Sequence, residues 1–290
     1  MPKLEDFEAA QPFFWHEDLQ ALLPKPAKEL LVKHQATFHE HWDLVSGAFP
    51  KLRREGYLHS WFLAGTRSFY YETPKMLEYP VMDRLALMPA ADLFNHAETG
   101  CEVSFTPTAY TVSADRSYRP GEEICISYGE HSNDFLLTEY GFVLSDNCWD
   151  MVCIDDVVLD TLSPWQAAQM QKEGLLGRFL LDSNGIPCRK TRLALDLLCN
   201  RSQRRKQTPI PQDGAGAALA GCDPFLDQLL HQFHGMAMET LDKVRKLRVG
   251  RESHREILER RWSQIVAIVE RSLDRSRNPP ADGRISLQVG

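Results

Sequence analysis

Apolar side chains recur at a loosely helical spacing along the first part of the chain, with polar residues between them. A repeat close to 3.6 residues places such side chains on one face of a helix. This spacing predicts that residues 1–75 are mainly helical. The recurring residues are Leu30, Leu31, Val32, Phe38, Trp42, Val45 and Phe49.

Residues 76–145 change to short runs in which apolar and polar residues alternate, bounded by glycine and proline. Alternation with a period of two predicts strands and turns. Within the run at 124–128, it places Ile124, Ile126 and Tyr128 on one face of a strand. Tyr128 would then stand at the end of that strand, where a buried ring with a polar tip is expected.

A short helix is predicted directly after this strand. Ser132 or Asn133 can cap its first turn, because both side chains accept hydrogen bonds from free backbone N–H groups. Gly141 suits a left-handed exit from the helix.

After about residue 150 the helical spacing returns. Ser163-Pro164 and Asp223-Pro224 each join a capping residue to a proline at the first helical position. Residues 202–221 are rich in Pro, Gly and Ala and have no period, so they predict an exposed loop. Two apolar stripes indicate the last two helices. The first consists of Phe225, Leu226, Leu229, Leu230 and Phe233, and the second of Leu258, Trp262, Ile265, Val269 and Leu273.

The composition is that of an ordinary globular protein. Of 290 residues, 43% are hydrophobic and 25% are charged, and the net charge of −7 argues against a surface that wraps nucleic acid. We find no apolar run of the ~20 residues that a membrane span needs, and no secretory signal. Seven cysteines without a CxxC pair indicate reduced thiols. We therefore expect no nucleic-acid or membrane partner and an intracellular location, cytoplasmic or nuclear.

The segment ADLFNHAETGC at residues 91–101 places Asp92, Asn95 and His96 beside apolar residues. A metal site would need three or four suitable ligands, but Asn95 is a poor one, so no metal is expected. Nucleophilic catalysis would need His96 to activate a group such as Cys101. No third residue for such a site is apparent in the sequence, so this role is not expected. A structural turn, in which the polar side chains bind local backbone groups, is the reading that these residues favour by themselves.

Four segments, taken together and in this order, resemble the SET-domain methyltransferases. The resemblance is to the branch with Rubisco large-subunit lysine methyltransferase and the actin-histidine methyltransferase. The segments are WFLAGTRSFYY (61–71), DLFNH (92–96), GEEICISYG (121–129) and YGF (140–142).

The resemblance implies an α+β fold with a β-rich SET-type core that contains a pseudoknot. Residues 1–60 would be a helical insertion, residues 61–149 the SET core, and residues 150–290 an all-α C-terminal lobe that binds the substrate.

The resemblance also implies a site for S-adenosylmethionine (AdoMet). Arg67 corresponds to the family arginine near the cofactor carboxylate. Asp92, Asn95 and His96 correspond to the motif that contacts the cofactor, which favours a cofactor role for this segment over the turn.

Three aromatic residues correspond to positions near the transferred methyl group. Tyr128 would line the methyl-transfer channel as the catalytic residue. Tyr140 and Phe142 would surround the adenine and the target side chain, although plain packing explains these two rings equally well.

The implied activity is AdoMet-dependent N-methylation of a protein, with lysine as the expected acceptor and the C-terminal lobe as the surface for the protein partner. The Gly-x-Gly motif of complete family members is not found before residue 61, so we expect AdoMet binding to be weak. The alternative is a truncated or repurposed SET fold, which would serve as a binding module or as a catalyst on a small molecule.

Overall fold

The computed structural model describes residues 1–106, 108–199 and 223–277. This part of the chain forms two compact units. The first comprises Met1–Trp149 and Arg248–Leu258, and the second comprises the remaining described residues. The predicted loop at residues 202–221 lies outside the described residues. The division into insertion, core and lobe stays a prediction.

The N-terminal part of the first unit is helical, as the apolar spacing predicts. Its core is aromatic, with Phe7, Phe38 and Phe62 all less than 9% exposed. The ring centroids of Phe7 and Phe62 lie 5.4 Å apart. The helices are α1 (Leu4–Ala10), α2 (Glu17–Ala21), α3 (Lys25–Ala48) and α4 (Arg54–Arg67).

The strands follow α4 and form two small sheets. β1 pairs with β2 in an antiparallel ladder, and the second sheet has the order β4-β3-β5. β3 is antiparallel to β4 and parallel to β5. The strands are β1 (Ser68–Tyr70), β2 (Leu85–Leu87), β3 (Asn95–Thr106), β4 (Ala109–Ser113) and β5 (Cys125–Ile126).

Glycine at position 100 permits the close approach of β3 to β5. A Cβ atom at this position would lie 2.5 Å from the main-chain oxygen of Cys125. The pairing register shifts between His96 and Cys101, because both residues pair with Ile126. These contacts bring the DLFNH segment beside the GEEICISYG segment.

The strand predicted over 124–128 is shorter than expected, because only Cys125 and Ile126 are paired. Ile126 is 1% exposed, whereas Ile124 is 41% exposed. Ile124 therefore does not share a buried face with Ile126, and the alternation of apolar residues overestimated the strand.

Helix α5 (Asn133–Tyr140) has the predicted ends. The hydroxyl oxygen of Ser132 accepts the N–H of Phe135, and Gly141 adopts φ of 81° at the exit. Helix α3 holds α5 in place: His34 Nε2 lies 2.8 Å from the Glu139 carboxylate. This contact holds the C-terminal end of α5, where Tyr140 is the last residue.

The second unit is mainly helical, as predicted, and its core contains most of both predicted apolar stripes, with Phe225 and Trp262 partly buried. Leu258, the first residue of the second stripe, is buried but belongs to the first unit. Ser163 caps α7 in a capping box with Gln166. A two-stranded sheet, which the prediction of an all-α lobe omitted, pairs β6 (Met151–Cys153) with β7 (Leu180–Asp182). The helices are α6 (Asp155–Leu159), α7 (Pro164–Lys172), α8 (Arg189–Cys199), α9 (Asp223–Lys246) and α10 (Glu252–Arg277), the last of which begins in the first unit.

Candidate functional site

A cavity of about 460 Å³ lies within the first unit. Its walls come from the N-terminal segment, the end of α4, the strands and the exit of α5. Among the seven predicted site residues, six line this cavity. They are Arg67, Asp92, Asn95, Tyr128, Tyr140 and Phe142.

Arg67 and Asp92 form a polar pair at the wall of the cavity. Arg67 is the last residue of α4, where the helix dipole favours a positive charge. Its Nη1 donates to the main-chain oxygen of Asp92 and lies 3.5 Å from the Asp92 carboxylate. The Asp92 side chain is 8% exposed and that of Arg67 is 27% exposed. The fold thus brings together an acidic and a basic residue from two segments, 25 positions apart in the sequence.

Asn95 begins β3 and lies at the exposed rim of the cavity. Its Nδ2 donates to the carboxylate of Glu123 at 2.6 Å. Because an amide also carries an oxygen acceptor, Asn95 can still bind a donor group of a ligand.

His96 does not line the cavity; it packs behind Tyr128. The main-chain N–H of Tyr128 donates to His96 Nδ1 at 3.0 Å, and the two ring centroids are 5.0 Å apart. Burial is the largest cause that lowers the pKa of His96 below its usual value. A neutral ring with Nδ1 as acceptor follows. His96 therefore contacts the main chain and the ring of Tyr128, and its predicted contact with a cofactor stays a prediction.

Tyr128 extends its ring into the cavity wall and anchors its hydroxyl. Its Oη donates to the main-chain oxygen of Phe94 at 2.7 Å. Burial raises the pKa of Tyr128 above its usual value, an effect that the nearby Arg67 partly opposes. The hydroxyl consequently stays protonated near neutral pH, and its oxygen keeps lone pairs that can accept a hydrogen bond.

Tyr140 and Phe142 complete an aromatic wall next to Tyr128. The centroids of Tyr128 and Tyr140 are 5.0 Å apart, and those of Tyr140 and Phe142 are 6.2 Å apart. Burial raises the pKa of Tyr140 to about 12. At Gly141, between the two rings, a Cβ atom would lie 2.8 Å from the Cβ of Ala10, so glycine allows this close contact.

Sequence reasoning missed the part of the cavity that comes from the N-terminal segment. Phe7 and Gln11 line the cavity, and so does Thr66 just before Arg67. No motif marks Phe7 or Gln11, whereas Thr66 lies within the WFLAGTRSFYY segment. Ser127 also lines it, and its position beside Tyr128 in GEEICISYG could have identified it.

Across residues 1–106, 108–199 and 223–277, no helix combines the length and the apolar character needed to cross a bilayer. In the same part of the chain, no three side chains of His, Cys, Asp or Glu are grouped so that they could hold a metal ion.

The SET domain family model matches residues 10–129. The match begins in the N-terminal helical region and ends at the glycine after Tyr128, so it includes four of the six predicted residues that line the cavity.

Three curated relatives match parts of the chain. Ribosomal lysine N-methyltransferase set11 of Schizosaccharomyces pombe is 28% identical over 196 residues, which are 67% of this chain and 50% of that protein. Ribosomal lysine N-methyltransferase 2 of Saccharomyces cerevisiae is 29% identical over 123 residues, 37% and 26% of the two chains. Human SET domain-containing protein 4 is 29% identical over 207 residues, 63% and 47%. The chain thus spans about half the length of these relatives, or less.

The fold also resembles a solved structure, the SET domain of LSMT bound to lysine and AdoHcy. The TM-score is 0.50 at 14% identity, and the match covers 92% of this chain and 67% of the other. At this identity the similarity supports the fold alone, and it agrees with the predicted α+β SET architecture.

Proposed function

We propose, from the match of the SET domain family model to residues 10–129, that the protein transfers a methyl group from AdoMet to the side-chain amine of a protein lysine. The observation that carries this proposal is the convergence of six motif residues, from four separate segments, on one cavity. Ordinary packing would not need charged, amide and phenol groups together at one concave surface.

The residues of the cavity fit AdoMet in size and chemistry. A volume of about 460 Å³ lies in the range of roughly 300–1,000 Å³ that is usual for small-molecule sites. Arg67 contacts Asp92 through Nη1, and a guanidinium has five N–H donors, so Nε and Nη2 can bind the carboxylate of the ligand. Tyr140 and Phe142 offer ring faces for the adenine.

Tyr128 is proposed to orient the acceptor amine. Since its hydroxyl donates to the Phe94 carbonyl and its pKa is raised, the residue is poorly suited to act as a general base. Its oxygen instead accepts a hydrogen bond from the amine, which fixes the direction of the nitrogen lone pair. Such alignment can contribute several kcal/mol to a rate.

AdoMet, when bound, supplies a methyl group on a positively charged sulfur. The protein's part is to hold the acceptor amine in line with that group and to exclude water. The rings of Tyr128, Tyr140 and Phe142 form an apolar wall suited to both tasks. Their electron-rich faces also favour cations.

A lysine of a ribosomal protein is the proposed substrate, because two of the relatives carry ribosomal lysine methylation in their names. We further propose that the mainly helical second unit contacts this protein. Trp165 in α7 is 74% exposed, and exposed tryptophan is common at the centre of protein interfaces.

Incubation with purified ribosomal proteins and AdoMet with a labelled methyl group tests this function. We expect label on lysine, located by tandem mass spectrometry, and a reduced yield for Asn95→Ala. Arg116→Met is the matched control, because Arg116 forms a surface ion pair with Glu122 and does not line the cavity.

Label on histidine would overturn the choice of lysine but leave methyl transfer in place. A folded protein that labels no protein would contradict the proposal and favour the binding-module or small-molecule alternative.

A further inference from the structure

Gln11 follows α1, and its side chain is 1% exposed. Its Nε2 donates to the main-chain oxygen of Glu139 at 3.0 Å. A carbonyl oxygen can only accept, so this contact assigns the orientation of the amide group. The nitrogen faces Glu139, and Oε1 faces away from it.

Oε1 of Gln11 is buried without a hydrogen-bond partner in the part of the chain that the structure describes. Leaving such an acceptor unpaired costs about 1–3 kcal/mol. Three other described residues have a buried unpaired side-chain atom, namely Arg192, Asp227 and His254, and none of them lines the cavity. Gln11 does line it.

The chemistry of the cavity indicates which group would satisfy this oxygen. An amide oxygen carries no proton, so its partner must be an N–H or O–H donor. The carboxylates of Asp6 and Asp92 also line the cavity, and Arg67 contacts Asp92 through Nη1. In the proposed function the other N–H groups of Arg67 bind the carboxylate of the ligand. Acidic groups and aromatic faces together favour an amino group over an alcohol.

We propose that Gln11 is a ligand-binding residue of this cavity, whose Oε1 accepts a hydrogen bond from an amino group of the bound ligand. This inference rests on the proposed function, in which both the target lysine and AdoMet carry amino groups. Because Oε1 is closed to solvent, ligand entry must be accompanied by a side-chain shift at the cavity wall, a change that is common on binding.

Two probes, L-lysine and AdoHcy, distinguish the two sources of the amino group. Each is titrated into the wild-type protein, Gln11→Met and Gln20→Met, with calorimetry for affinity and ¹⁵N NMR for the Gln11 side-chain amide. Gln20→Met is the matched control, because Gln20 Nε2 also donates to a main-chain oxygen, that of Pro12 at 2.9 Å, and Gln20 does not line the cavity.

We expect Gln11→Met to weaken one of the two ligands about tenfold, the effect of a single lost hydrogen bond of ~1.4 kcal/mol. The same ligand should shift the Gln11 amide signals, which a purely structural role would not require. Gln20→Met should leave both affinities unchanged. An effect on L-lysine assigns the target amine, and an effect on AdoHcy assigns the cofactor amine.

Unchanged affinities in Gln11→Met, with clear binding by the wild type, would overturn this inference and leave the proposed function intact. If the folded wild-type protein bound neither probe, both the proposed function and this inference would fall.

Discussion

The hydroxyl of Tyr128 donates a hydrogen bond to the main-chain oxygen of Phe94 at 2.7 Å. This contact joins the end of the GEEICISYG segment to the DLFNH segment. It leaves the phenol oxygen as an acceptor at the cavity wall, which is the role that the proposed reaction needs.

Replacement of Tyr128 by phenylalanine should reduce methyl transfer much more than stability. The substitution removes one hydroxyl hydrogen bond, so the free energy of unfolding should fall by ~1 kcal/mol. Loss of the group that orients the amine should lower kcat/KM. Expressed as an activation free energy, this loss should be far larger than the ~1 kcal/mol lost in stability. Kinetics and urea unfolding of the same preparation measure both effects.

Tyr71→Phe is the control for Tyr128→Phe. Tyr71 Oη donates to the main-chain oxygen of Thr106 at 2.9 Å, and Tyr71 does not line the cavity. This variant should lose a hydroxyl bond but keep its activity. Full activity in Tyr128→Phe would show that the assigned role is wrong.

The second unit contains a buried ion pair whose disruption should be costly. Arg261 Nη1 lies 2.6 Å from the Asp150 carboxylate, and the two side chains are 0% and 4% exposed. Arg261→Met leaves a buried carboxylate without this partner and should destabilise the protein by ~3–5 kcal/mol, measured by urea unfolding.

Arg245→Met provides the comparison for Arg261→Met. Arg245 is paired with Glu259 at 2.8 Å, but both side chains are more than 40% exposed, so the loss should stay below ~1 kcal/mol. Equal effects of the two variants would contradict the importance of burial for the Arg261 pair.

Stability should decrease as the pH falls below about 6.5, the usual pKa of histidine. His254 is 2% exposed, stacks on Trp15, and lies 2.9 Å from the main-chain oxygen of Glu8 through Nε2. Burial, with a smaller contribution from Arg251, lowers its pKa in the folded state. The unfolded chain therefore binds the proton more readily, and acid favours unfolding, by about 1.4 kcal/mol for each unit of pKa difference.

Urea unfolding between pH 5 and pH 8 checks this dependence. His254→Gln should flatten the curve below pH 6.5, and the same substitution at the exposed His41 controls for the loss of a histidine. If the His254→Gln protein lost as much stability below pH 6.5 as the wild type, His254 would not be the cause of the pH dependence.

Periodicity and capping residues predict the elements that are set by burial and local geometry. The stripe on α10 is buried, apart from the partly buried Trp262, because an apolar side chain can pack against any apolar neighbours. Ser132 and Ser163 cap helices through neighbours three residues away. Such features depend on short stretches of sequence.

Pairings between distant segments could not be predicted in the same way. The role of His96 depends on a hydrogen bond to a residue 32 positions later. Gln11 reaches the cavity through a contact with α5, 128 positions away. The resemblance to SET domains brought Arg67, Asp92 and Tyr128 together, but it carried no signal for Gln11 or for the β6–β7 sheet.

Titration of the protein with AdoHcy tests the central claim most directly, because that claim is that this cavity holds the methyl donor. We predict saturable but weak binding, reduced at least tenfold in Arg67→Met and in Asn95→Ala and unchanged in Arg116→Met, since a hydrogen bond to a charged group is worth ~1.5–3 kcal/mol. Circular dichroism of each variant verifies that it is folded. The absence of saturable binding by the folded wild-type protein, or equal affinity in all three variants, would contradict the account.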